Sequence, residues 1–492
     1  MSIESRHDAS LGVDGSAAGV VTGDGGASRR AAGTGSDRSD RTGARGTTPS
    51  SAAETLRPLV ASLFPAGMPL QVELWDGSRL APSGRGSGEG PRARLVLRSP
   101  DSLRYLLWAP GQLGLARAFV AGALDFEVEG GDRPGDGTLR QALAQLHDAM
   151  ASRLPTAPGM VLPLLRAAVR LGAVGAPPAV PAAEVRLTSR FRPASIHTKE
   201  RDAEAIRHHY DIGNDFYELL LGPAMTYSCA RFEHPDATLE EAQASKHELV
   251  CRKLGLAEPG RGRRVRLLDV GCGWGSMAMH AASRYGADVV GVTLSPAQAD
   301  RARQRVRDAG LDDHVEIRLQ DYRDLGGEQF DAICSIGMFE HVGEKRMAEY
   351  FSTLYSLLAP RGRLLNHAIS HAGGSKMRGR TFMNRYVFPD GELIDVGEVV
   401  LGMERAGFEV RDVESLREHY ARTLEHWVAN LEENWDEAVK IIGVERARVW
   451  RLYMSASING FEDGGIAIHQ VLGVKPDETG SSGMPRTRAG WG

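Results

Sequence analysis

Residues 265–275 restrict the fold of this chain more than any other segment. An apolar run leads into Asp269, after which Gly271, Gly273 and Gly275 alternate with other residues, and a helical pattern follows over residues 276–285. A buried parallel strand reads as an apolar run, and glycines allow a sharp turn and a close approach of the backbone to a ligand. The segment therefore predicts a strand, a glycine-rich loop and a helix that hold a small ligand.

The spacing of these glycines, G-x-G-x-G, differs from the dinucleotide fingerprint G-x-G-x-x-G. The run D-V-G-C-G-W-G at residues 269–275 resembles motif I of class I S-adenosylmethionine (SAM) methyltransferases. The resemblance implies that SAM is the cofactor and that Asp269 and the three glycines lie against it. A glycine-rich loop of some other α/β protein is the alternative, and the strands that follow favour the SAM interpretation.

Strand-like segments alternate with helical ones from residue 265 onward. Such alternation indicates βαβ units in a doubly wound parallel sheet, whose ligands bind at the C-terminal ends of the strands. We therefore expect an α/β fold with a Rossmann-like, class I SAM-methyltransferase domain. The predicted strands are residues 265–270, 288–293, 315–319, 330–336 and 362–368, and helices are predicted at 202–210, 215–221, 276–285, 416–433 and 444–461.

Composition and patterning divide the chain into five parts. The first is rich in Gly, Ser, Ala, Asp and Arg and has almost no large apolar residues, so it cannot bury enough surface to fold. The second combines two strand patterns with several helical ones, which indicates a small α+β domain. The predicted parts are a disordered tail (1–52), a small N-terminal domain (53–156), a linker (157–190), the SAM-dependent catalytic domain (191–475) and a flexible tail (476–492).

Charge and cysteine content exclude several classes of function. The formal net charge of −4 provides no basic field for nucleic acid, so no nucleic-acid partner is expected. No apolar run is long enough for a transmembrane helix, and the N-terminus lacks the apolar core of a signal peptide, so we expect a cytoplasmic protein. The four cysteines have no zinc-site spacing, and no metal is expected.

Polar residues after the next two predicted strands could complete a SAM pocket. Thr293 stands where many SAM enzymes carry a ribose-binding acid, so we expect Thr293, Ser295 and Gln298 to hold the ribose through neutral hydrogen bonds. Ser295 before Pro296 also has the pattern of a helix N-cap, and both roles can hold. Asp321 could accept a hydrogen bond from the adenine amino group with Tyr322 stacking nearby, and a plain turn aspartate is the alternative.

Seven motifs in order resemble the cyclopropane-fatty-acyl-phospholipid synthase family, which includes the mycolic acid cyclopropane synthases. The resemblance covers residues 97–474, and it implies that Tyr210 and Ser228, within the first two motifs, also contact SAM. The motifs are H-Y-D-x-G-N-x-F-Y from residue 209, T-Y-S-C-A from 226, L-D-V-G-C-G-W-G from 268, G-V-T-L-S from 291, F-E-H-V-G from 339, F-P-D-G-E-L from 388 and H-Y-x-x-T-L from 419.

The resemblance also implies a reaction. An alkene of an unsaturated phospholipid acyl chain takes the SAM methyl and becomes a carbocation, a base removes a proton from the added methyl, and the ring closes. In this family a bound bicarbonate ion is thought to be the base. Carried over by motif, the residues around that ion are Cys229, Glu340, His367, Ile369 and Tyr420, with hydrogen bonds from Tyr420 and from the backbone near Cys229 and Ile369.

Each of these residues also has a plain structural interpretation when it is taken alone. Cys229 could be a small buried hydrophobe, His367 a core histidine, Glu340 a partner that orients His341, and Tyr420 a packed helix residue. Their occurrence together in the family's motifs favours the functional interpretation. The family also leads us to expect a homodimer.

A lipid substrate without a transmembrane anchor requires reversible docking on a membrane surface. Residues 161–171 read as an amphipathic helix with Arg166 and Arg170, which is either a linker helix or a lipid-contacting one. The basic loop residues Lys376, Arg378 and Arg380 could contact phosphate headgroups, or they could be solvated. Three rival functions remain: a fatty-acyl methyltransferase that leaves a methylene or methyl branch, a small-molecule methyltransferase, and a lipid-binding protein without SAM chemistry.

Overall fold

A computed structural model describes residues 51–64, 67–83, 93–128, 138–151, 161–185, 197–210, 212–257, 263–371, 381–488 and 491. They belong to one compact unit that begins at Ser50. Almost all of the predicted tail (1–52) lies outside the described residues, as does the basic loop at 376–380. The boundaries expected at 156 and 190 within the compact unit stay predictions.

The described residues form sixteen α-helices and eleven strands. The helices are α1 (Ala52–Leu63), α2 (Asp101–Trp108), α3 (Gln112–Val120), α4 (Thr138–Ala151), α5 (Val161–Arg170), α6 (Lys199–Tyr210), α7 (Asn214–Leu221), α8 (Leu239–Leu254), α9 (Ser276–Tyr285), α10 (Pro296–Asp308), α11 (Met347–Leu357), α12 (Phe382–Tyr386), α13 (Val396–Arg405), α14 (Arg417–Glu433), α15 (Trp435–Ile442) and α16 (Val444–Glu462). The strands are β1 (Gln71–Glu73), β2 (Arg79–Leu80), β3 (Ala93–Leu97), β4 (Leu124–Val128), β5 (Arg266–Val270), β6 (Asp288–Thr293), β7 (Val315–Leu319), β8 (Phe330–Ile336), β9 (Leu358–His371), β10 (Glu409–Ser415) and β11 (Ile466–Val474).

A seven-stranded sheet in the order β10-β11-β9-β8-β5-β6-β7 forms the centre of the protein. Strands β5 to β9 pair in parallel, which confirms the predicted doubly wound α/β arrangement. Strand β11 runs antiparallel to both β9 and β10, so the sheet is mixed at one edge. The apolar runs of β5 and β8 are almost fully buried, as expected for strands covered by helices on both faces.

Helix α8 was not among the predicted elements, although its sequence carries the signals of both ends. Thr238 caps the helix and Glu241 completes a capping box. Gly255 ends the helix in the left-handed conformation. These signals locate a helix that packs its buried face toward the ends of the central strands, where it contributes to the site.

A second sheet, in the order β2-β1-β3-β4, lies in the N-terminal part of the compact unit. Arg448 of α16 donates hydrogen bonds to the carbonyl oxygens of Phe119 and Leu124 and to Asp125. Buried Glu184 accepts two hydrogen bonds of 2.6 Å from Arg117. The Arg448 contacts join α3 and β4 to α16 of the catalytic part, and the Arg117–Glu184 pair ties α3 to the segment at 181–185.

The C-terminal segment from residue 476, expected to be a flexible tail, is tied to the rest of the protein. Its described residues contain no helix or strand. However, Arg361 donates a 2.6 Å hydrogen bond to Asp477, and Trp491 is buried in a core cluster. Burial of a large aromatic side chain outweighs the low apolar content of the segment, so a loose tail does not describe these residues.

None of the helices described by the structure is both long and apolar enough to cross a bilayer.

Candidate functional site

The glycine-rich loop lies at the C-terminal end of β5 and opens into a cleft. The amide N–H groups of Gly271 and Cys272 both donate to the Val292 carbonyl oxygen, which fixes the loop against β6. Gly271 has a φ of 79°, and a Cβ there would lie 3.0 Å from the Met338 side chain. Only glycine satisfies both conditions, so the backbone can approach a ligand closely at this point.

Asp269 is buried at the base of this cleft with one carboxylate oxygen unused by the protein. Its Oδ1 lies 3.4 Å from Cys334 Sγ, and its Oδ2 has no hydrogen-bond partner among the described residues. Burial raises the pKa of Asp269 to about 6, against the opposing effect of Lys246. A buried carboxylate oxygen without a partner is costly, so this one fits a ligand that donates a hydrogen bond or carries positive charge.

The three residues expected at the ribose form a hydrogen-bonded group. Thr293 Oγ1 donates to Gln298 Oε1 at 2.9 Å, and Ser295 Oγ accepts from the Gln298 amide at 3.2 Å as the N-cap of α10. Thr293 and Gln298 line the cleft, whereas Ser295 lies beneath it. The structure therefore shows the capping role of Ser295, and a direct ribose contact would come from Thr293 and the Gln298 amide group.

Asp321 and Tyr322 lie on the far wall of the cleft, beyond β7. Both Asp321 oxygens accept from the Arg323 guanidinium, at 2.8 and 2.6 Å, and Asp321 Oδ1 also accepts from the Arg323 amide. These hydrogen bonds outweigh burial and hold the pKa of Asp321 below its usual range. The pairing with Arg323 was not predicted, and it leaves Asp321 ionised as an acceptor.

Tyr210 and Ser228 reach the same cleft from helix α6 and from the segment before α8. The predicted residues that line the cleft are Tyr210, Ser228, Asp269, Gly271, Gly273, Thr293, Gln298, Asp321 and Tyr322. Gly275 is the N-cap of α9 and, like Ser295, is not part of the lining.

Glu340 lies just beyond β8, where its carboxylate is held by the neighbouring strand. Its Oε1 accepts a 2.8 Å hydrogen bond from the Ile369 amide, and its Oε2 has no partner among the described residues. Burial raises the pKa of Glu340 to about 7. The Ile369 amide, which we expected to donate to a bound ion, donates instead to Glu340, because the parallel pairing of β8 and β9 brings the two together.

His367 lies on β9, where it pairs in register with Ile336 on one side and Gln470 on the other. Its Nδ1 lies 3.1 Å from Gln470 Nε2, and its Nε2 is buried without a partner among the described residues. With the Gln470 amide as donor, the neutral ring carries its proton on Nε2. Burial and nearby lysines hold the pKa of His367 well below its usual value, so the ring is neutral.

Cys229 and Tyr420 lie together on the side of α14. The Cys229 thiol is fully buried and lies 3.1 Å from the Ala230 carbonyl oxygen, and burial raises its pKa. The Ala230 amide donates to Thr423 Oγ1, one turn along α14 from Tyr420. Burial raises the pKa of Tyr420 as well, and smaller contributions come from Tyr453, Cys229 and Glu340. Tyr420 therefore remains a neutral hydroxyl near Glu340.

A group of seven aromatic side chains lies around Tyr420, and we call this group the aromatic chamber. The chamber comprises Tyr210, Tyr217, Tyr227, Tyr420, Trp427, Trp450 and Tyr453, with ring centroids of neighbouring members 5.1 to 6.2 Å apart. The Tyr227 and Tyr453 hydroxyls lie 3.2 Å apart. Tyr210 and Tyr227 also line the cleft, so the chamber adjoins the cleft.

Two cleft residues that sequence reasoning missed, Lys246 and His247, come from α8. Lys246 is buried, and its Nζ donates to Ser228 Oγ at 2.9 Å. The capping box of α8 and the apolar spacing around these residues would have located the helix, but nothing local indicates that a lysine points inward.

Comparisons with known proteins agree with this architecture. A family model described as mycolic acid cyclopropane synthetase matches residues 197–471. The chain is 43% identical over 419 residues, 85% of its length and 93% of the relative's, to a probable fatty acid methyltransferase of Mycobacterium tuberculosis. It is 38% identical over 289 residues, 58% of its length and 72% of the relative's, to the cyclopropane-fatty-acyl-phospholipid synthase of Escherichia coli.

A solved structure shares the fold. The crystal structure of the mycolic acid cyclopropane synthase CmaA1, complexed with SAH and CTAB, is similar with a TM-score of 0.51 and 35% identity, covering 55% of this chain and 97% of that one. The sheet order, the glycine loop and these relatives agree on a class I SAM-methyltransferase fold with SAM as methyl donor. The chain therefore belongs to the mycolic acid cyclopropane synthetase family and is a SAM-dependent methyltransferase.

Proposed function

We propose that this enzyme transfers the SAM methyl carbon to the cis double bond of an unsaturated phospholipid acyl chain and closes a cyclopropane ring. The observation that carries the proposal is a carboxyl group with a pKa near neutrality, Glu340, close to an aromatic chamber that shares Tyr210 and Tyr227 with the SAM cleft. SAM supplies the electrophilic methyl group. The residues of this chain must then stabilise a cation on the acyl chain, exclude water and accept one proton.

The aromatic chamber suits a cationic intermediate. Ring faces attract positive charge, and the attraction is stronger where water is excluded. Tyr217 and Trp427 are fully buried, and burial keeps the Tyr210 and Tyr420 hydroxyls protonated, so none of these groups is a competing anionic nucleophile. A cation formed here is stabilised without being trapped.

The unpaired polar atoms fit the bicarbonate ion that we propose as the base. Glu340 Oε2 and His367 Nε2 are both buried without a partner among the described residues. Neutral His367 offers an N–H donor, and Glu340 retains its proton up to a pH of about 7, so neither group repels an anion below that pH. Glu340, His367 and Tyr420 would hold the ion, which would supply the proton acceptor, while Ile369 acts by orienting Glu340.

A lipid substrate also requires a membrane-facing surface, which we place on α5 as one part of this proposal. Its outward residues Leu162, Leu165, Arg166, Val169 and Arg170 are exposed and follow helical spacing along one face. The opposite face carries the buried Ala167 and Ala168. An apolar stripe with flanking arginines is the composition that binds anionic lipid surfaces.

Charge reversal tests the docking surface. The double variant Arg166→Glu/Arg170→Glu should weaken co-sedimentation with anionic phospholipid vesicles, because each basic residue near an anionic surface contributes about 1 kcal/mol. Arg284→Glu/Arg307→Glu, which changes two exposed arginines on α9 and α10, is the matched control and should bind vesicles as the wild type does. Equal binding by both double variants would remove α5 from the proposal.

The reaction is tested by gas chromatography and mass spectrometry of fatty-acid methyl esters after incubation of the protein with SAM and vesicles of monounsaturated phospholipid. A cyclopropane ester at the former double bond supports the proposal. Absence of any added carbon, with measurable SAM binding, would show that phospholipid acyl chains are not the substrate.

A methylene or methyl branch is the second candidate product. The specific observation in its favour is that the relative matching 85% of this chain is named a probable fatty acid methyltransferase. Both reactions share the first cation. Direct loss of a proton from the added methyl closes the ring, whereas a 1,2-hydride shift before that loss gives a methylene branch, and a saturated methyl branch needs a hydride donor in addition. The same chromatographic separation distinguishes them, because a branched ester and a cyclopropane ester of equal carbon number elute separately.

A further inference from the structure

Helix α8 carries two fully buried lysines whose surroundings differ. Lys253, 1% exposed, lies 2.9 Å from Asp412 and also contacts Glu414. Lys246, likewise 1% exposed, has the neutral Ser228 hydroxyl as its hydrogen-bond partner, and no described carboxylate lies within ion-pair distance of it. The first lysine is neutralised within the protein and the second is not.

A buried ammonium group without a counter-ion is unstable, so Lys246 is expected to have one when the site is filled. Removing a charge from water costs several kcal/mol unless an opposite charge and hydrogen bonds offset it. Burial lowers the pKa of Lys246 to about 8, which still leaves it mostly protonated at neutral pH. The acidic groups that act on it, Cys229, Asp269 and Cys334, offer no ion pair. Lys246 therefore suits an anion brought by a ligand.

The position of Lys246 identifies the chemistry of that anion. Lys246, Ser228 and Asp269 line the same cleft, beside the glycine loop. The methionine part of SAM carries one carboxylate and one ammonium group, and Asp269 Oδ2 is a free acceptor for the latter. We propose that Lys246 is a cofactor-binding residue whose ammonium, together with the Ser228 hydroxyl, binds the α-carboxylate of SAM. The proposal rests on SAM as cofactor and not on which lipid is modified.

Calorimetric titration tests the pairing directly. The variant Lys246→Met, which retains length and removes charge, is titrated with S-adenosylhomocysteine (SAH) and with its decarboxylated analogue, which has the amine but no carboxylate. We expect SAH affinity to fall about 10- to 100-fold, the range for one charge-assisted hydrogen bond. Affinity for the analogue should stay within about twofold of that of the wild type, and Lys246→Arg should recover part of the loss.

Several results would overturn the proposal. Equal losses for SAH and the analogue would mean that Lys246 only shapes the cleft. Unchanged SAH affinity, with a higher bicarbonate concentration needed for turnover, would assign the charge to bicarbonate instead. If Lys246→Met does not fold, Ser228→Ala provides the same test, with an expected selective loss of about 2- to 10-fold for SAH and none for the analogue. The titrations with SAH and with the analogue need no turnover on lipid.

Discussion

The cleft and the aromatic chamber are neighbours built in different ways. The cleft takes its shape from backbone: the loop at Gly271 and Gly273, the capped start of α10 and the turn at Asp321 all follow directly after strands of one sheet. The chamber takes its shape from side chains of α6, α7, α14 and α16 and from Tyr227 before α8, which are distant in the sequence. Local motifs specify the first, and tertiary packing specifies the second.

The difference between the cleft and the chamber corresponds to a difference between cofactor binding and catalysis. The cleft holds polar groups that are charged or hydrogen-bonded at neutral pH, such as Asp321 with Arg323. The chamber holds groups that burial keeps neutral, such as the hydroxyls of Tyr210 and Tyr420. Substitutions in the cleft should therefore change cofactor affinity first, and substitutions in the chamber should change turnover first.

The largest expected effect on turnover is that of Glu340→Gln, which changes the catalytic region and leaves the cofactor cleft intact. Glu340 is proposed to hold the bicarbonate base, and loss of a positioned base lowers rates by about 100- to 10,000-fold, so we expect kcat to fall by that amount. His367→Ala should have an effect of the same order. Affinity for SAH, measured by calorimetry, should stay within about twofold of that of the wild type. If the Glu340→Gln enzyme keeps the kcat of the wild type, Glu340 and the chamber beside it do not carry out the catalytic step.

The pH dependence of stability provides the next effect in size. The Glu340 pKa is raised from 4.5 to about 7 in the folded protein, so its neutral form favours folding below pH 4.5, and that contribution is lost as pH rises to about 7. At 1.36 kcal/mol per pKa unit, the wild type should lose about 2–3 kcal/mol relative to Glu340→Gln between pH 4.5 and 8. Thermal unfolding of both proteins across this range measures the difference, and parallel curves would show that Glu340 is not desolvated.

The smallest expected effect is that of Asp269→Asn in the cleft. It retains the shape of the side chain but removes the charge that faces the cofactor, so SAH affinity should fall by about tenfold, as for one charged hydrogen bond. The kcat at saturating SAM should change far less than in Glu340→Gln. A drop in kcat without a change in affinity would reverse the comparison between cleft and chamber.

The extent to which sequence predicted the structure follows the same division. Strands β6, β7 and β8 were predicted to the residue, because apolar runs and the alternation of apolar with polar residues are local signals. The antiparallel strands β10 and β11 and helix α8 were missed, although the Thr238 cap marks where α8 begins. Glu340 and Tyr420 entered only through the family resemblance, since no local pattern shows that two such distant residues lie in one chamber.

Lys246 illustrates what packing adds. Its sequence context, with the polar residues Ser245, His247 and Glu248 beside it, is typical of an exposed helix face, yet the side chain is buried against Ser228. Similarly, Ser295 has the sequence pattern of a cap and could also contact the ribose, and the geometry of α10 shows the capping role.

The central claim is that the chamber removes a proton from the newly transferred methyl group, and isotopic labelling tests it most directly. The protein is incubated with SAM carrying a CD3 methyl group and with monounsaturated phospholipid vesicles. The product acyl chains are converted to methyl esters, separated by gas chromatography and analysed by mass spectrometry. Ring closure after proton removal predicts a cyclopropane ester that retains two of the three deuterium atoms. A product that retains all three would show that the transferred methyl is never deprotonated, and it would contradict the account.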